Sequence, residues 1–304
     1  MNGVVVVDKP AGLTSHDVVT MVKRALEVRK AGHVGTLDPL ATGVLVVCLD
    51  EGTKLSPFLS GQAKTYRATM LLGVETDTLD IEGRVVRTAE ARVREEEVRQ
   101  VLARFRGRIS QRPPLYSAVK HRGRALYSWA RKGVAVEAPP REVEIFSLEV
   151  EEVKPPHVTF SVTCSAGTYV RSLCAEAGGM LGCGACLYAL RRTASGPFDE
   201  ARAVRPEDRE ALRAGVIPLA EALSHVPSLY LDEGAAEGIR RGVAPRAEIL
   251  GDRDRPLFAE GDMVKFLTPT GHLAAVAALE GRGGAEGRTP GACGFRLLRV
   301  FKDP

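Results

Sequence analysis

The sequence lacks any long hydrophobic run. The apolar stretch 4–7 is followed at once by Asp8, too short for a signal peptide or an anchor. No later stretch approaches the roughly 20 residues of a membrane-spanning helix. A cytoplasmic protein with no membrane contact is therefore expected. Cysteine is sparse, six in 304 residues, and in a reducing cytosol these read as free thiols rather than a disulfide framework. Cys183 and Cys186 form one CxxC without a second ligand pair, so no metal is expected. A nucleotide-binding P-loop, a dinucleotide fingerprint and internal repeats are missing as well, and no cofactor is expected. Acid is missing locally: no Asp or Glu lies between Glu97 and Glu137. That interval holds Arg99, Arg104, Arg106, Arg108, Arg112, Lys120, Arg122, Arg124, Arg131 and Lys132. A run of this kind can be a solvated basic face. Interleaved with Tyr116, Tyr127 and Trp129, it suits a polyanion with stackable bases better. Lys/Arg and Asp/Glu balance at 11 each over 228–304, so the net charge of +4 resides in 1–227.

What is present reads as alternating short elements. Residues 4–7 predict a buried strand that turns at Lys9-Pro10 and Gly12. Ser15 then reads as the N-cap of a helix with Val18, Val19, Val22 and Leu26 inward. Residues 30–43, rich in Gly, Thr and Pro, read as a loop, and 44–49 and 66–72 as strands. Val98, Val101, Leu102 and Phe105 recur at helical spacing. Pro113-Pro114 stops that helix and opens the basic segment, with a short helix predicted at 126–131. Strands at 143–153 and 158–164, a helix at 169–181 closed by Gly182, and an extended stretch at 187–198 follow. A charged helix at 206–214 leads to 220–223, and Pro227 marks a boundary. Beyond it, strands at 263–267, 273–277 and 295–301 surround a Gly-rich loop at 281–294. Strands and helices that alternate without repeated βαβ units place the chain in the α+β class.

Three places carry unusual residue choices. In 32–43, GHVGTLDPLATG, Gly and Pro fix the backbone and leave His33 and Asp38 as the ionisable side chains. Taken alone, an Asp before Pro is more often a turn residue. Lys64-Thr65-Tyr66-Arg67 begins a strand, where a Tyr usually packs. Cys164-Ser165-Ala166-Gly167-Thr168-Tyr169-Val170-Arg171 joins a strand to a helix and puts Arg171 in the first turn. The helix dipole disfavours a cation there, which points to a specific anionic partner. Asp77 and Asp80 could form a glycosidase-style pair, but nothing else supports that. His16 and His121 read as surface residues.

At these three places the chain resembles the bacterial TruB-type tRNA pseudouridine synthases. Residues 32–43 match the family's catalytic loop, 64–67 its tyrosine motif and 167–173 its arginine motif. Residues 111–133, QRPPLYSAVKHRGRALYSWARKG, match its RNA-gripping thumb, and 5–15 and 181–192 also fit. The order and spacing of these motifs over 3–198 carry the resemblance. It implies a pseudouridine-synthase fold, with a mixed, largely antiparallel central sheet flanked by helices and loops. A catalytic domain would span 1–227, with the thumb-like insertion at about 111–140, and a small β-rich PUA-like domain would span 228–304. It implies isomerisation of uridine 55 in the T-loop of tRNA after base flipping, by a monomer with no obligatory protein partner. Asp38 would be the nucleophile or would assist elimination at C1′. Arg171 would pair with Asp38, and Tyr66 would stack on the base and take the C5 proton. His33 would fill the vacated stack, and Lys9, Lys64, Tyr169, Lys120, Arg122 and Arg124 would contact substrate RNA. The C-terminal domain would grip the acceptor end. A tRNA-remodelling protein without chemistry and a guide-dependent relative are the alternatives.

Overall fold

The structure, a computed structural model, describes residues 1–117, 119–121, 123–126, 129, 134, 136, 138–245, 259–280 and 294–302. Among them, nine strands form a central sheet. Its path runs β1 (Gly3–Lys9), β3 (Thr42–Leu49), β12 (Ala185–Ser195), β4 (Lys64–Leu72), β11 (His157–Cys164), β10 (Arg141–Lys154) and β7 (Gly107–Gln111). β2 (Ala31–Val34) joins β3, and β13 (Phe198–Asp199) joins β12. Every pairing in this sheet is antiparallel among the described residues except β3 with β12. The expected mixed, largely antiparallel sheet is therefore what the chain forms.

Residue patterning explains the layers. Val5 and Val7 of β1, with Leu45, Val47 and Leu49 of β3, enter the main core, while Val4, Val6, Val44, Val46 and Cys48 enter a second one. Both faces are covered, so these strands read as unbroken apolar runs. β4 alternates instead, burying Lys64, Tyr66, Ala68, Met70 and Leu72 and leaving Arg67 exposed. The helix α1 (Ser15–Leu26) buries Val18, Val19, Val22 and Leu26, as its spacing predicts.

Some sequence expectations need correction. Thr14, not Ser15, is the N-cap of α1: its hydroxyl accepts from Asp17 N, and Asp17 accepts from Thr14 N, a capping box. The stretch 30–43 is not wholly loop, because 31–34 pair with 46–49 as β2. Buried backbone beside a strand is satisfied most readily by a ladder, and glycine composition masked it. Among the described residues, the remaining α-helices are α2 (Ser56–Ser60), α3 (Glu95–Ala103), α4 (Val170–Met180), α5 (Arg209–Ala214), α6 (Leu219–Ala222) and α7 (Glu233–Arg240). A short hairpin, β5 (Val74–Thr76) with β6 (Val85–Thr88), had no sequence signal. β8 (Lys120–His121) and β9 (Arg124–Ala125) pair within the basic segment, whose predicted helix at 126–131 falls largely outside the described residues.

The C-terminal region is β-rich: β14 (Ser228–Tyr230), β15 (Met263–Leu267), β16 (Leu273–Glu280) and β17 (Gly294–Val300) form a second sheet in that order. It is welded to the first part. Leu267, Leu273, Val276 and Phe301 share a core with Val4 and Val46. Lys54 Nζ donates to Val300 O at 2.9 Å, and Lys265 Nζ to Ala220 O and Leu223 O at 2.8 Å each. Among the described residues no helix is long and apolar enough to cross a membrane.

Candidate active site

β3 changes partner along one edge: residues 46–49 pair with β2, and 42–43 with β12. The segment between β2 and β3 leaves the sheet at that change. Its backbone is fastened from several sides. Ser15 Oγ, which the sequence suggested as a cap, donates to Leu37 O at 3.0 Å and accepts from Leu37 N at 2.9 Å. Lys9 Nζ donates to Pro10 O, Pro39 O and Ala41 O at 2.8, 3.1 and 2.7 Å. Arg192 donates from Nε to Val44 O at 2.7 Å and from Nη2 to Gly35 O at 2.9 Å. Gly43, at φ +94°, closes the segment where a Cβ would lie 2.3 Å from Arg192 O, so a larger residue would break the fit.

Held this way, Asp38 faces α4. Arg171 Nε lies 2.9 Å from Asp38 Oδ2, and Nη2 donates to Asp38 Oδ1 at 3.3 Å. Arg171 also donates to Thr78 O at 2.8 Å and Tyr116 O at 2.9 Å, and its Nη1 is 3.5 Å from Asp80 Oδ2. Two carboxylates thus offset the unfavourable dipole at the start of α4. The guanidinium is 4% exposed, whereas Asp38 remains 38% exposed toward the cleft. Burial pushes the Asp38 carboxyl above the usual carboxylate range; Arg171 opposes the shift and Asp80 adds to it.

The cleft beside Asp38 has a volume of about 250 Å³ and is lined by Asp38, Lys64, Tyr66, Ser117, Tyr169, Arg171 and Arg192, among others. That is slightly below the roughly 300–1,000 Å³ of small-molecule sites. The Tyr66 phenol is buried, which raises its pKa, and the Arg192 charge opposes that rise. The Tyr169 backbone is clasped by Gln111, whose Oε1 accepts from Tyr169 N at 2.7 Å and whose Nε2 donates to Tyr169 O at 3.1 Å. That clasp ties the start of the basic segment to α4. Ser117 Oγ is buried in the cleft wall with no hydrogen-bond partner.

The structure brings together Asp38, Tyr66, Arg171, Lys64 and Tyr169 among the residues singled out by sequence. Lys9 is not available to RNA: it is wholly buried, its ammonium is spent on three carbonyls, and burial draws its pKa down to about 8. Lys64 lines the cleft but donates to Ser60 O and Gln62 O, and burial lowers it to about 8. A lysine with two of its three donors fixed on carbonyls is a wall rather than a free phosphate clamp. His33 sits on β2 outside the cleft lining, with Nδ1 buried and unpartnered, and burial lowers its pKa. Arg122 lies outside the described residues; Lys120 and Arg124 lie on the paired strands β8 and β9. Ser15, Gln111, Ser117 and Arg192 are site residues that sequence reasoning did not single out for the site, and Asp80, weighed there only as half of a pair with Asp77, is another. For Arg192 the signal was present, as a doubled cation in the otherwise apolar strand 185–195. Asp80 and Thr78 belong to the turn after β5, which no periodicity announced. Among the described residues no group of three or more His, Cys, Asp or Glu is arranged to hold a metal.

Comparison with known proteins identifies the family. The N-terminal domain of TruB family pseudouridylate synthases matches residues 23–170, and the C-terminal domain of tRNA pseudouridylate synthase B matches 171–224. A tRNA pseudouridine synthase B of Syntrophus aciditrophicus (strain SB) is 51% identical, covering 100% of this chain and 99% of the relative. That of Geobacter sulfurreducens (strain ATCC 51573 / DSM 12127 / PCA) is 44% identical over 99% of this chain and 100% of its own. A chain of the solved Cbf5-Nop10-Gar1 complex superposes with a TM-score of 0.74 at 31% identity, covering 99% of this chain and 85% of that one. A chain of an H/ACA RNP bound to a substrate RNA containing 2′-deoxyuridine gives a TM-score of 0.74 at 28% identity, with coverages of 99% and 85%. With its fold, its motif order and these matches taken together, the chain belongs to the TruB family of pseudouridylate synthases.

Proposed function

We propose that the chain converts uridine 55 in the T-loop of tRNA to pseudouridine, without a cofactor, with Asp38 as the reacting carboxylate. The observation that carries this is the Asp38–Arg171 pair at 2.9 Å beside a cleft shared with Tyr66. The reaction breaks N1–C1′, turns the uracil and joins C5 to C1′. Atoms and oxidation state are conserved, so no redox partner is required. A carboxylate can attack carbon and leave again, and the same group at C1′ can assist elimination. Arg171 orients it through charge-assisted contacts. A T-loop base is out of reach inside the folded RNA and must be flipped into the cleft, where Tyr66 stacks on it and takes the C5 proton. His33, half-buried on β2, props the vacated stack. The basic segment 111–140 grips the T-arm, with Lys120, Arg122 and Arg124 on phosphates. Residues 228–304 form a PUA-type module for the acceptor end.

The tRNA substrate is favoured over a guide-dependent one by relatedness. Identity reaches 51% with a protein named for tRNA and 31% with the solved Cbf5 chain. A remodelling protein without chemistry has no use for a carboxylate held against a buried guanidinium, although tRNA folding can accompany catalysis. The test is purified protein, an unmodified tRNA transcript and no added guide, with pseudouridine mapped by position. Product at 55 supports the assignment. Product that needs a guide RNA, or none at all, overturns it.

A further inference from the structure

The strand register places one unassigned cation at the junction of the whole site. Arg192 of β12 pairs with Tyr66 of β4 on one side and with Gly43 of β3 on the other. Directly opposed residues on neighbouring strands share a face with their Cβ atoms about 5 Å apart. The Arg192 side chain is 1% exposed, yet it lines the cleft together with Tyr66 and Asp38. Its hydrogen bonds run to the carbonyls of Gly35 and Val44, not to a carboxylate. Carbonyl dipoles satisfy the donors and leave the net charge in place, in an interior where charge acts strongly.

We propose that Arg192 is a positioning residue for the last step, holding the Tyr66 hydroxyl as the acceptor of the C5 proton while it ties that strand to the Asp38 segment. This rests on the reading that Tyr66 is the base. The groups that act on the phenol are Arg192 from β12, Cys164 from β11 and Asp38 from the segment before β3, and the charged Lys64 of β4 and Arg171 of α4 line the same cleft. Burial, Cys164 and Asp38 all disfavour the phenolate, and Arg192 is the group that favours it. Chemically, the uracil after C5–C1′ bond formation carries an sp³ C5 and an N1=C6 double bond. The Tyr66 phenol first gives its proton to water; the phenolate takes the C5 proton, the C5–H pair becomes the C5=C6 bond, and the N1=C6 pair moves to N1. N1 then takes a proton from the hydronium so formed, and Tyr66 is left as the phenol it began as. The same guanidinium fixes Gly35 and Val44, so the base and the carboxylate keep one frame through the step.

The test uses the full-length protein and Arg192→Gln, Arg192→Lys and Tyr66→Phe variants. The phenolate absorbance of Tyr66 is isolated as the difference between the titrations of the unsubstituted protein and Tyr66→Phe. In folded Arg192→Gln, the Tyr66 midpoint is expected about one pH unit or more higher; an unmoved midpoint overturns the proposal. Arg192→Lys keeps the charge but loses the fork and reach of the guanidinium, and serves if the Gln variant does not fold. With tRNA carrying C5-deuterated uridine, its single-turnover isotope ratio is expected to exceed that of the unsubstituted protein. An equal ratio, with tRNA binding retained, reduces Arg192 to a structural tie and overturns the proposal. Tyr66→Phe separates the two levels: full turnover with an unchanged isotope ratio removes Tyr66 as the base, whatever Arg192 does.

Discussion

The two sides of the cleft hold their cations differently. On the helix side, Arg171 meets Asp38 and Asp80, so its charge is matched by acid. On the sheet side, Arg192 and Lys64 donate to backbone carbonyls, and their charge stays unmatched by the groups they bond. The difference separates two tasks. A matched cation orients a carboxylate; an unmatched one leaves a positive field toward the tyrosine and the incoming nucleotide.

Substitutions on the two sides should therefore fail in different ways. The largest effect is expected from Asp38→Asn, with turnover lower by about 10⁴-fold or more and tRNA affinity retained in a filter-binding assay. Lost affinity would make Asp38 structural. Next comes Arg171→Gln, at about 10²–10³-fold in turnover, with a change in pH dependence. Burial raises the Asp38 pKa and Arg171 opposes that. The carboxyl works ionised, so activity falls as pH drops through its folded pKa, which lies above the usual carboxylate value. Without Arg171 that pKa rises, and the acid limb of the rate–pH profile should move to higher pH; a limb that stays put contradicts the pairing. Away from both walls, replacing Arg122 and Arg124 by Ala should leave single-turnover chemistry intact. The slope of log affinity against log salt should shrink by about one unit per lost phosphate contact, and an unchanged slope removes the thumb from the interface. The smallest effects separate two adjacent residues. Ser15→Ala strands the buried Leu37 N–H, at a cost of about 1–3 kcal/mol with slower turnover. Thr14→Ala removes a helix cap, at about 1 kcal/mol with turnover unchanged. Denaturant unfolding and kcat, measured side by side, check both.

The same contrast shows what the sequence made legible. Asp38, Tyr66 and Arg171 stood out because Gly, Pro and a misplaced cation are locally unusual, and their motif order matched a family. Lys9 looked like an RNA contact because a lysine after a strand is normally exposed. Its burial arises from the chain crossing over residues 39–41, a contact of long sequence separation that leaves no periodic trace. Ser15 looked like a cap because it has a capping side chain, and a neighbour with the same chemistry took that place. Arg192 and Asp80 became site residues through contacts of long sequence separation: Arg192 bonds Val44 O, 148 residues away, and Arg171, which meets Asp80, bonds Thr78 O, 93 residues away. Strands were readable as unbroken apolar runs in 4–7 and 44–49 and by alternation in 66–72. β2 was hidden because glycine and histidine carry little strand signal.

The most direct test of the central claim is the structure of the Asp38→Asn protein bound to an unmodified tRNA. Uridine 55 is expected out of the T-loop stack, its uracil against the Tyr66 ring and its C1′ about 3–3.5 Å from the side chain at position 38. A uridine still stacked in the loop, or seated on another face of the protein, would contradict it.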